Sequence, residues 1–329
     1  MTTQTNAVQT NAVQMNTVTQ DRFGAASEVL RIARTERPAP GPTEVLVKVH
    51  AAGINPVDVK TSRGEGLAWY YGEPPYTLGW DVSGTVEAVG FGVTTLKAGD
   101  EVLGMPNFPR LAGGFAEYVT APSRHWVRKP AGLSHAEAAG LPLAGLTAWQ
   151  ILVDTAELAA GQRVLVHAAA GGVGHLAVQI AKARGAYVIG TARAAKHDFL
   201  RSIGVDQALD YTARPFEEVV SELDLVVDNI GDPEHQLRSL RTLREGGLLV
   251  AVPGGVDPVA AEQARATGRR ITDVLVEPDR SGLRGLVELI ERKELRVEVA
   301  ARLPLAEVAR AFELVGSGRA QGKVVLTLD

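Results

Sequence analysis

A run of small residues between two apolar stretches carries the chemistry that can be read first. Val164-Leu165-Val166-His167 is largely apolar and stops at Ala168-Ala169-Ala170-Gly171-Gly172-Val173-Gly174. Apolar residues then recur at helical spacing, at Val173, Ala177, Ile180 and Ala181. Strand, tight turn and helix in that order build a cradle for a pyrophosphate. Glycines let backbone N–H groups approach the phosphates, and the helix aims its positive end at them. Ala170, Gly171, Gly172 and Val173 are the expected contacts. Ala169 stands where the first glycine of such a turn is expected, a departure that a side chain as small as alanine's allows. Glycine spacing alone also occurs in turns that bind nothing. Here the strand before, the helix after and the helix stop at Gly185 all agree with dinucleotide binding.

The next strand narrows the cofactor. Ala186-Tyr187-Val188-Ile189-Gly190-Thr191-Ala192 reads as a second parallel strand, with Thr191 and Ala192 at its cofactor end. A site for NAD usually carries Asp or Glu about 20 residues past the glycines, on the ribose 2′-hydroxyl. No acidic residue lies between Gly174 and His197, and Arg193 and Lys196 occupy the region instead. A cation suits a 2′-phosphate, which a carboxylate would repel. NADP(H) is therefore expected over NAD(H); the plainer alternative leaves both cations as solvated surface charges. Asn229, after Val226-Val227-Asp228, and Val252-Pro253-Gly254 sit at carboxyl ends of later strands, where ligands bind in open parallel sheets.

The elements that must position these residues follow from the rest of the chain. Its 329 residues suggest two domains, at about 150 residues each. A hydrophobic content of 45% supplies sizeable cores, and a net charge of −4 gives no reason to expect nucleic-acid or anionic-membrane partners. With no cysteine, disulfides, thiol nucleophiles and thiolate zinc sites are excluded. No apolar run reaches the ~18 residues of a membrane span, and no leader sequence is read, so a soluble cytoplasmic protein is expected. The polar repeat Thr5-Asn6-Ala7-Val8-Gln9 and Thr10-Asn11-Ala12-Val13-Gln14 reads as a disordered extension over residues 1–14, with Met15 as an alternative start. From Val18 to about Lys129, short alternating runs separated by Pro- and Gly-rich turns predict an all-β domain. After Pro130, Ser134 and Glu137 form a capping-box pattern, and helices and strands alternate. Strands are expected at 163–168, 186–192, 207–210, 223–228, 247–252 and 271–276. The clearest helices are at 173–184, 194–202 and 234–244. A helix at about 281–292 is followed by one near 305–315 and by a last strand, Lys323 to Leu328, expected to pair with the first domain. The fold class is α/β, a β-rich domain joined to a doubly wound one.

This layout resembles the medium-chain dehydrogenase/reductase superfamily, in its zinc-independent quinone oxidoreductase and enoyl reductase branch. The resemblance rests on Gly41 to Val49, Ala52-Gly53-Ile54-Asn55-Pro56-Val57-Asp58, Gly79-Trp80-Asp81-Val82-Ser83-Gly84, Leu143 to Trp149, His167 to Gly174 and Gly322 to Leu326, in that order. It implies a GroES-like catalytic domain at 15–133 and 294–329 around a Rossmann NADP-binding domain at 134–293. Zinc alcohol dehydrogenases of the superfamily carry a cysteine where Asn55 stands and His-Glu where Trp80-Asp81 stands. Asn and Trp cannot replace thiolate and imidazole as zinc ligands, so no metal is expected. Without a Lewis acid, a conjugated acceptor is the easier substrate, since its charge delocalises onto a carbonyl oxygen that hydrogen-bond donors can stabilise. The expected activity is metal-free, NADPH-dependent hydride transfer to a quinone, enone or enoyl thioester. The alternative is an NADPH-binding protein with little turnover.

The resemblance also implies roles. Asn55 contacts the nicotinamide ribose or the substrate oxygen, or is a turn asparagine before Pro56. Asp58 supports it structurally. Thr147 lies beside the nicotinamide, or is a buried helix threonine. Tyr211 packs on the adenosine end, or is a surface aromatic. Lys323 reaches the cleft from the tail, or decorates an edge strand. Lys182 is read as a solvated charge rather than a proton donor. The cluster Trp69-Tyr70-Tyr71-Gly72-Glu73-Pro74-Pro75-Tyr76 forms a ring-lined pocket for flat substrates, or a small satellite core. Tyr71 joins Asn55 and Thr147 as a catalytic candidate. Arg270 to Val276 reads as the last strand of its sheet, through which relatives commonly form homodimers.

Overall fold

Short apolar runs with period-two burial form antiparallel strands in the first third of the chain. The computed structural model describes residues 13–328. Most of the expected N-terminal extension lies outside the described residues, but Gln14, assigned to it from the sequence, opens a strand. Strand β1 (Gln14–Thr19) pairs with β2 (Arg31–Glu36). Then come β3 (Glu44–Ile54), β4 (Asp81–Val89), β5 (Glu101–Gly104), β6 (Tyr118–Pro122) and β7 (Trp126–Arg128). The long β3 is the centre of this sheet, pairing with β4 and β6. Gly53 lets Asp81 of β4 approach it: a Cβ on Gly53 would lie 2.9 Å from the Asp81 Cβ.

The second half alternates strand and helix. Its strands are β8 (Arg163–Val166), β9 (Tyr187–Ala192), β10 (Gln207–Asp210), β11 (Leu223–Asp228), β12 (Leu243–Ala251) and β13 (Arg270–Asp273). All pair in parallel, in the order β10-β9-β8-β11-β12-β13. That order reverses direction at β8, and the crevice at the reversal is where doubly wound sheets bind dinucleotides. Both faces of the sheet are covered. Val164 and Val166 belong to one core and Leu165 to another, with Ile189, Val226 and Leu249. This is why the strands read as continuous apolar runs rather than alternating ones. Strand β14 (Val299–Pro304) is followed by helix Val308–Gly316 and β15 (Lys323–Thr327). β15 pairs antiparallel with β3, so the end of the chain completes the first sheet.

Boundaries shifted where local hydrogen bonds intervene. The helix expected over 234–244 is Pro233–Leu240, because Thr242 N–H bonds back to Ser239 and Thr242 then accepts from Leu223. That frees Leu243 to start β12 before the expected 247. The strand expected at 271–276 ends at Asp273, and the 194–202 helix begins as a 3-10 turn. The Ser134–Glu137 box forms as read: Glu137 N–H donates to the Ser134 hydroxyl at 3.3 Å and Ser134 N–H to the Glu137 carboxylate at 3.0 Å.

Candidate active site

The phosphate turn begins where β8 ends. Ala168, not Ala169, takes the left-handed backbone, at φ 48°. A non-glycine residue there costs on the order of 1 kcal/mol. Ala169 is instead fully buried, and a Cβ on Gly190 would lie 2.9 Å from its methyl group. Gly174 is obligatory, since a Cβ there would run into the Ala168 carbonyl. Gly171 N–H closes the turn onto Ala168 O at 2.9 Å, Ala170 is buried, and Gly172 and Val173 open the helix Gly172–Ala183. Thr191 props the turn from β9, accepting Ala168 N–H at 3.3 Å and meeting His167 Nδ1 at 3.1 Å; Ala192 is buried beside it.

Sequence reasoning missed His175. Its Nδ1 lies 2.8 Å from Gly171 O, and its Nε2 accepts Glu298 N–H at 3.2 Å. The neutral ring, protonated at Nδ1, thus ties the glycine turn to the C-terminal segment. Burial pushes its pKa down to about 4. The position one turn past Gly171 was the available signal.

Past the end of β9, Arg193 Nε donates to the Tyr211 hydroxyl at 3.2 Å, and both residues are exposed. Lys196 departs from this pair: its ammonium donates to the Arg319 and Ala320 carbonyls at 2.9 and 3.3 Å. The strand-end residues do converge. Asn229 Nδ2 donates to His167 O at 2.8 Å, Val252 N–H donates to Asp228 O at 2.9 Å, and Pro253 packs where a Cβ on Gly231 would be. Gly254 follows at φ 82°. Asn229 Oδ1 is buried without a hydrogen-bond partner, an acceptor set for a ribose hydroxyl. The glycine turn, this acceptor and the Arg193–Tyr211 pair fit an NADP-type dinucleotide.

The other side of the cleft is a buried charged cluster. Lys323 reaches it from β15 and is 3% exposed. Its ammonium pairs with Asp81 Oδ2 at 3.0 Å and donates to Asn55 Oδ1. Asn55 Nδ2 donates to the same Asp81 oxygen at 2.8 Å. Asp81 Oδ1 accepts Leu143 N–H at 2.6 Å, anchoring the helix Pro142–Trp149 that carries Thr147. The Thr147 hydroxyl donates to Leu143 O at 2.7 Å, as a buried helix threonine does. Asp58 accepts Asn55 N–H at 2.8 Å and Gly79 N–H at 3.1 Å, and burial pushes its carboxyl up to about 8. A Cβ on Gly172 would lie 3.3 Å from Lys323 Cδ, so the cluster abuts the phosphate turn. Asp81 is the second residue that sequence reasoning left without a role; only the fold sets it against Lys323.

Trp80 lies fully buried beside this cluster, its indole N–H donating to Arg110 O at 2.8 Å. Tyr71 stacks on it with ring centroids 6.3 Å apart, and its hydroxyl donates to Pro109 O. Burial holds the Tyr71 pKa above the ordinary phenol value, so the proton stays on. Trp69 and Tyr70 continue the edge-on ring series outward to 80% and 50% exposure. Lys182 sits at the opposite end of its helix, paired with Asp206 at 2.8 Å. Among the described residues, no group of three or more His, Cys, Asp or Glu is arranged to hold a metal ion, and no helix is long and apolar enough to cross a membrane.

Comparison with known proteins accords with this geometry. Residues 41–131 match the alcohol dehydrogenase GroES-like domain family, and residues 203–326 match a family described as zinc-binding dehydrogenase. A 2-methylene-furan-3-one reductase of Solanum lycopersicum is 36% identical over 86% of this chain and 71% of its own. An NADPH-dependent alkenal/one oxidoreductase of Arabidopsis thaliana, chloroplastic, is 37% identical over 86% of this chain and 72% of its own. The structure of a quinone oxidoreductase from Coxiella burnetii superposes with TM-score 0.91 at 36% identity, covering 96% of this chain and all of that one. The chain belongs to the medium-chain dehydrogenase/reductase superfamily, in its zinc-independent quinone oxidoreductase and enoyl reductase branch.

Proposed function

We propose that this chain is an NADPH-dependent reductase that works without a metal and reduces a quinone or an α,β-unsaturated carbonyl. The observation that carries the reading is the Lys323–Asp81–Asn55 cluster. A buried ammonium, neutralised by Asp81, lies against the asparagine that stands where zinc relatives carry a cysteine ligand. The likeness to an alkenal/one oxidoreductase and a quinone oxidoreductase supports it.

Bound NADPH supplies the hydride. Arg193 would hold the 2′-phosphate, Asn229 Oδ1 would accept from a ribose hydroxyl, and the turn from Ala170 to Val173 would receive the pyrophosphate. Asn55 keeps one amide N–H beyond the one spent on Asp81, and that donor stabilises charge on the substrate oxygen. Thr147 positions rather than donates, because its proton is spent on Leu143 O. Tyr71, backed by the buried Trp80 ring, presents an aromatic face to the acceptor; Tyr71 delivers a proton only by leaving Pro109 O. Residues 134–293 form the cofactor domain, and two such domains join across β13 as a homodimer. Strand β13 ends the sheet, with its outer edge unpaired among the described residues.

The test is NADPH oxidation with a panel of quinones and a panel of enones. Turnover is expected with conjugated acceptors and little with saturated ketones. NADPH should bind at least about tenfold tighter than NADH, ~1.4 kcal/mol, with Arg193→Ala removing the difference. Faster oxidation of secondary alcohols with NADP⁺ than reduction of any acceptor would overturn the reading.

A further inference from the structure

A second cavity lies apart from the nucleotide cleft, where the β6–β7 turn faces the helix Arg280–Glu291. It measures about 440 Å³, and Arg124, His125, Asp279, Arg280, Ser281 and Arg284 line it. Arg124 and His125 come from the turn before β7. The others come from the start of the helix that follows β13. Two parts of the chain distant in sequence thus each contribute cations to one concavity.

The charges in it are unbalanced. Among the described residues, Arg124, Arg280 and Arg284 enter no ion pair. Arg280 Nε is buried with no hydrogen-bond partner. The one carboxylate in the lining, Asp279, is spent on the helix: it accepts Ser281 N–H at 2.8 Å and Gly282 N–H at 2.6 Å. Those N–H groups are therefore satisfied, and the recognition here belongs to side chains rather than to a helix end. Neighbouring Arg128 is paired with Asp100 at 2.7 Å. His125 accepts Asn107 N–H on Nδ1 at 3.1 Å, which puts the proton of the neutral ring on Nε2. Burial first, then Arg284, Arg124 and Arg128, lower the pKa of Arg280, as expected where like charges crowd without a counter-ion.

We propose that this cavity is an anion site that takes a phosphoryl oxyanion, either free phosphate or the phosphate of an ester. Planar guanidinium forks match phosphate oxygens in pairs, and three of them converge here against a single carboxylate, Asp279, whose two oxygens each accept a helix N–H. The ligand bridges the β6–β7 turn and the helix after β13, replacing repulsion between their arginines with shared attraction. The site is distinct from the Arg193 position. Arg193 follows β9, whereas Arg280 opens the helix after β13, and those two strands stand four places apart in the sheet order.

Calorimetry of the whole chain at low ionic strength, saturated with NADP⁺, tests this. Orthophosphate should bind with Kd of about 1 mM or tighter. Arg280→Gln and Arg284→Gln should each weaken it about tenfold, while Arg193→Ala leaves it unchanged. Arg124 is exposed, so Arg124→Gln gives the same readout without a folding liability. A simple alkyl phosphate distinguishes the sources. Tighter binding than orthophosphate assigns the site to an ester, and equal or weaker binding assigns it to the free ion. No saturable binding, binding that NADP⁺ or Arg193→Ala abolishes, or indifference to all three arginine substitutions would overturn the proposal.

Discussion

Asn55 shows how burial changes what a residue is worth. Read as a turn asparagine before proline, it would contribute modestly to stability. In the fold it is 2% exposed, with its carbonyl oxygen on Lys323 and its amide on Asp81. Removing it leaves a buried ammonium short of an acceptor, which costs about 1–3 kcal/mol. Asn55→Ala should therefore lower stability in urea denaturation by that amount and, in stopped-flow measurements at saturating NADPH, slow hydride transfer ~10- to 1,000-fold. A variant as stable as the wild type would contradict the network. A change confined to NADPH affinity would make Asn55 a ribose contact instead of an oxyanion donor.

At the scale of elements, the glycine turn is held by its neighbours as much as by its glycines. Thr191 supports it from β9 and His175 locks it to Glu298 ahead of β14. The His175 lock is sensitive to acid. Its folded pKa, about 4, lies below the ordinary 6.5 because burial disfavours the charged ring. The unfolded chain thus binds a proton first as pH falls. This contribution to stability is complete above about 6.5 and is lost progressively down to about 4. His175→Gln should flatten the stability profile within that window, measured as denaturation midpoint against pH. An unchanged slope would show that other groups set the acid sensitivity.

For the whole molecule, the C-terminal segment is what joins the two sheets. Gly322 N–H bonds to Ala170 O at 2.9 Å, Lys323 enters the buried cluster, and β15 pairs with β3. One short stretch therefore touches the phosphate turn and the opposite wall of the cleft together. Beyond the single chain, β13 ends the six-stranded sheet. Light scattering at micromolar concentration should give a dimer mass, and Thr272→Pro in the middle of β13 should shift it toward the monomer, because a proline in an edge strand interrupts further strand pairing. A monomer mass for the unaltered chain would count against the β13 dimer.

The sequence by itself determined the elements whose signals are local. The apolar runs of β8, β9 and β11, the Ser134–Glu137 box and the helix after Gly172 depend on near neighbours and on period, and they stand where the pattern put them. So did the absence of a carboxylate after Gly174, because charge type needs no coordinates. Tertiary structure alone decided the rest. Lys323 and Asn55 are 268 positions apart, and nothing in either neighbourhood announces their contact. Lys196 reads like Arg193 but turns to the Arg319 carbonyl. The left-handed residue is Ala168 because the closeness of Gly174 to its carbonyl sets the turn, which composition cannot register. Long-range pairing of buried polar groups follows from how sheets stack and where the chain returns, and a linear pattern carries no record of either.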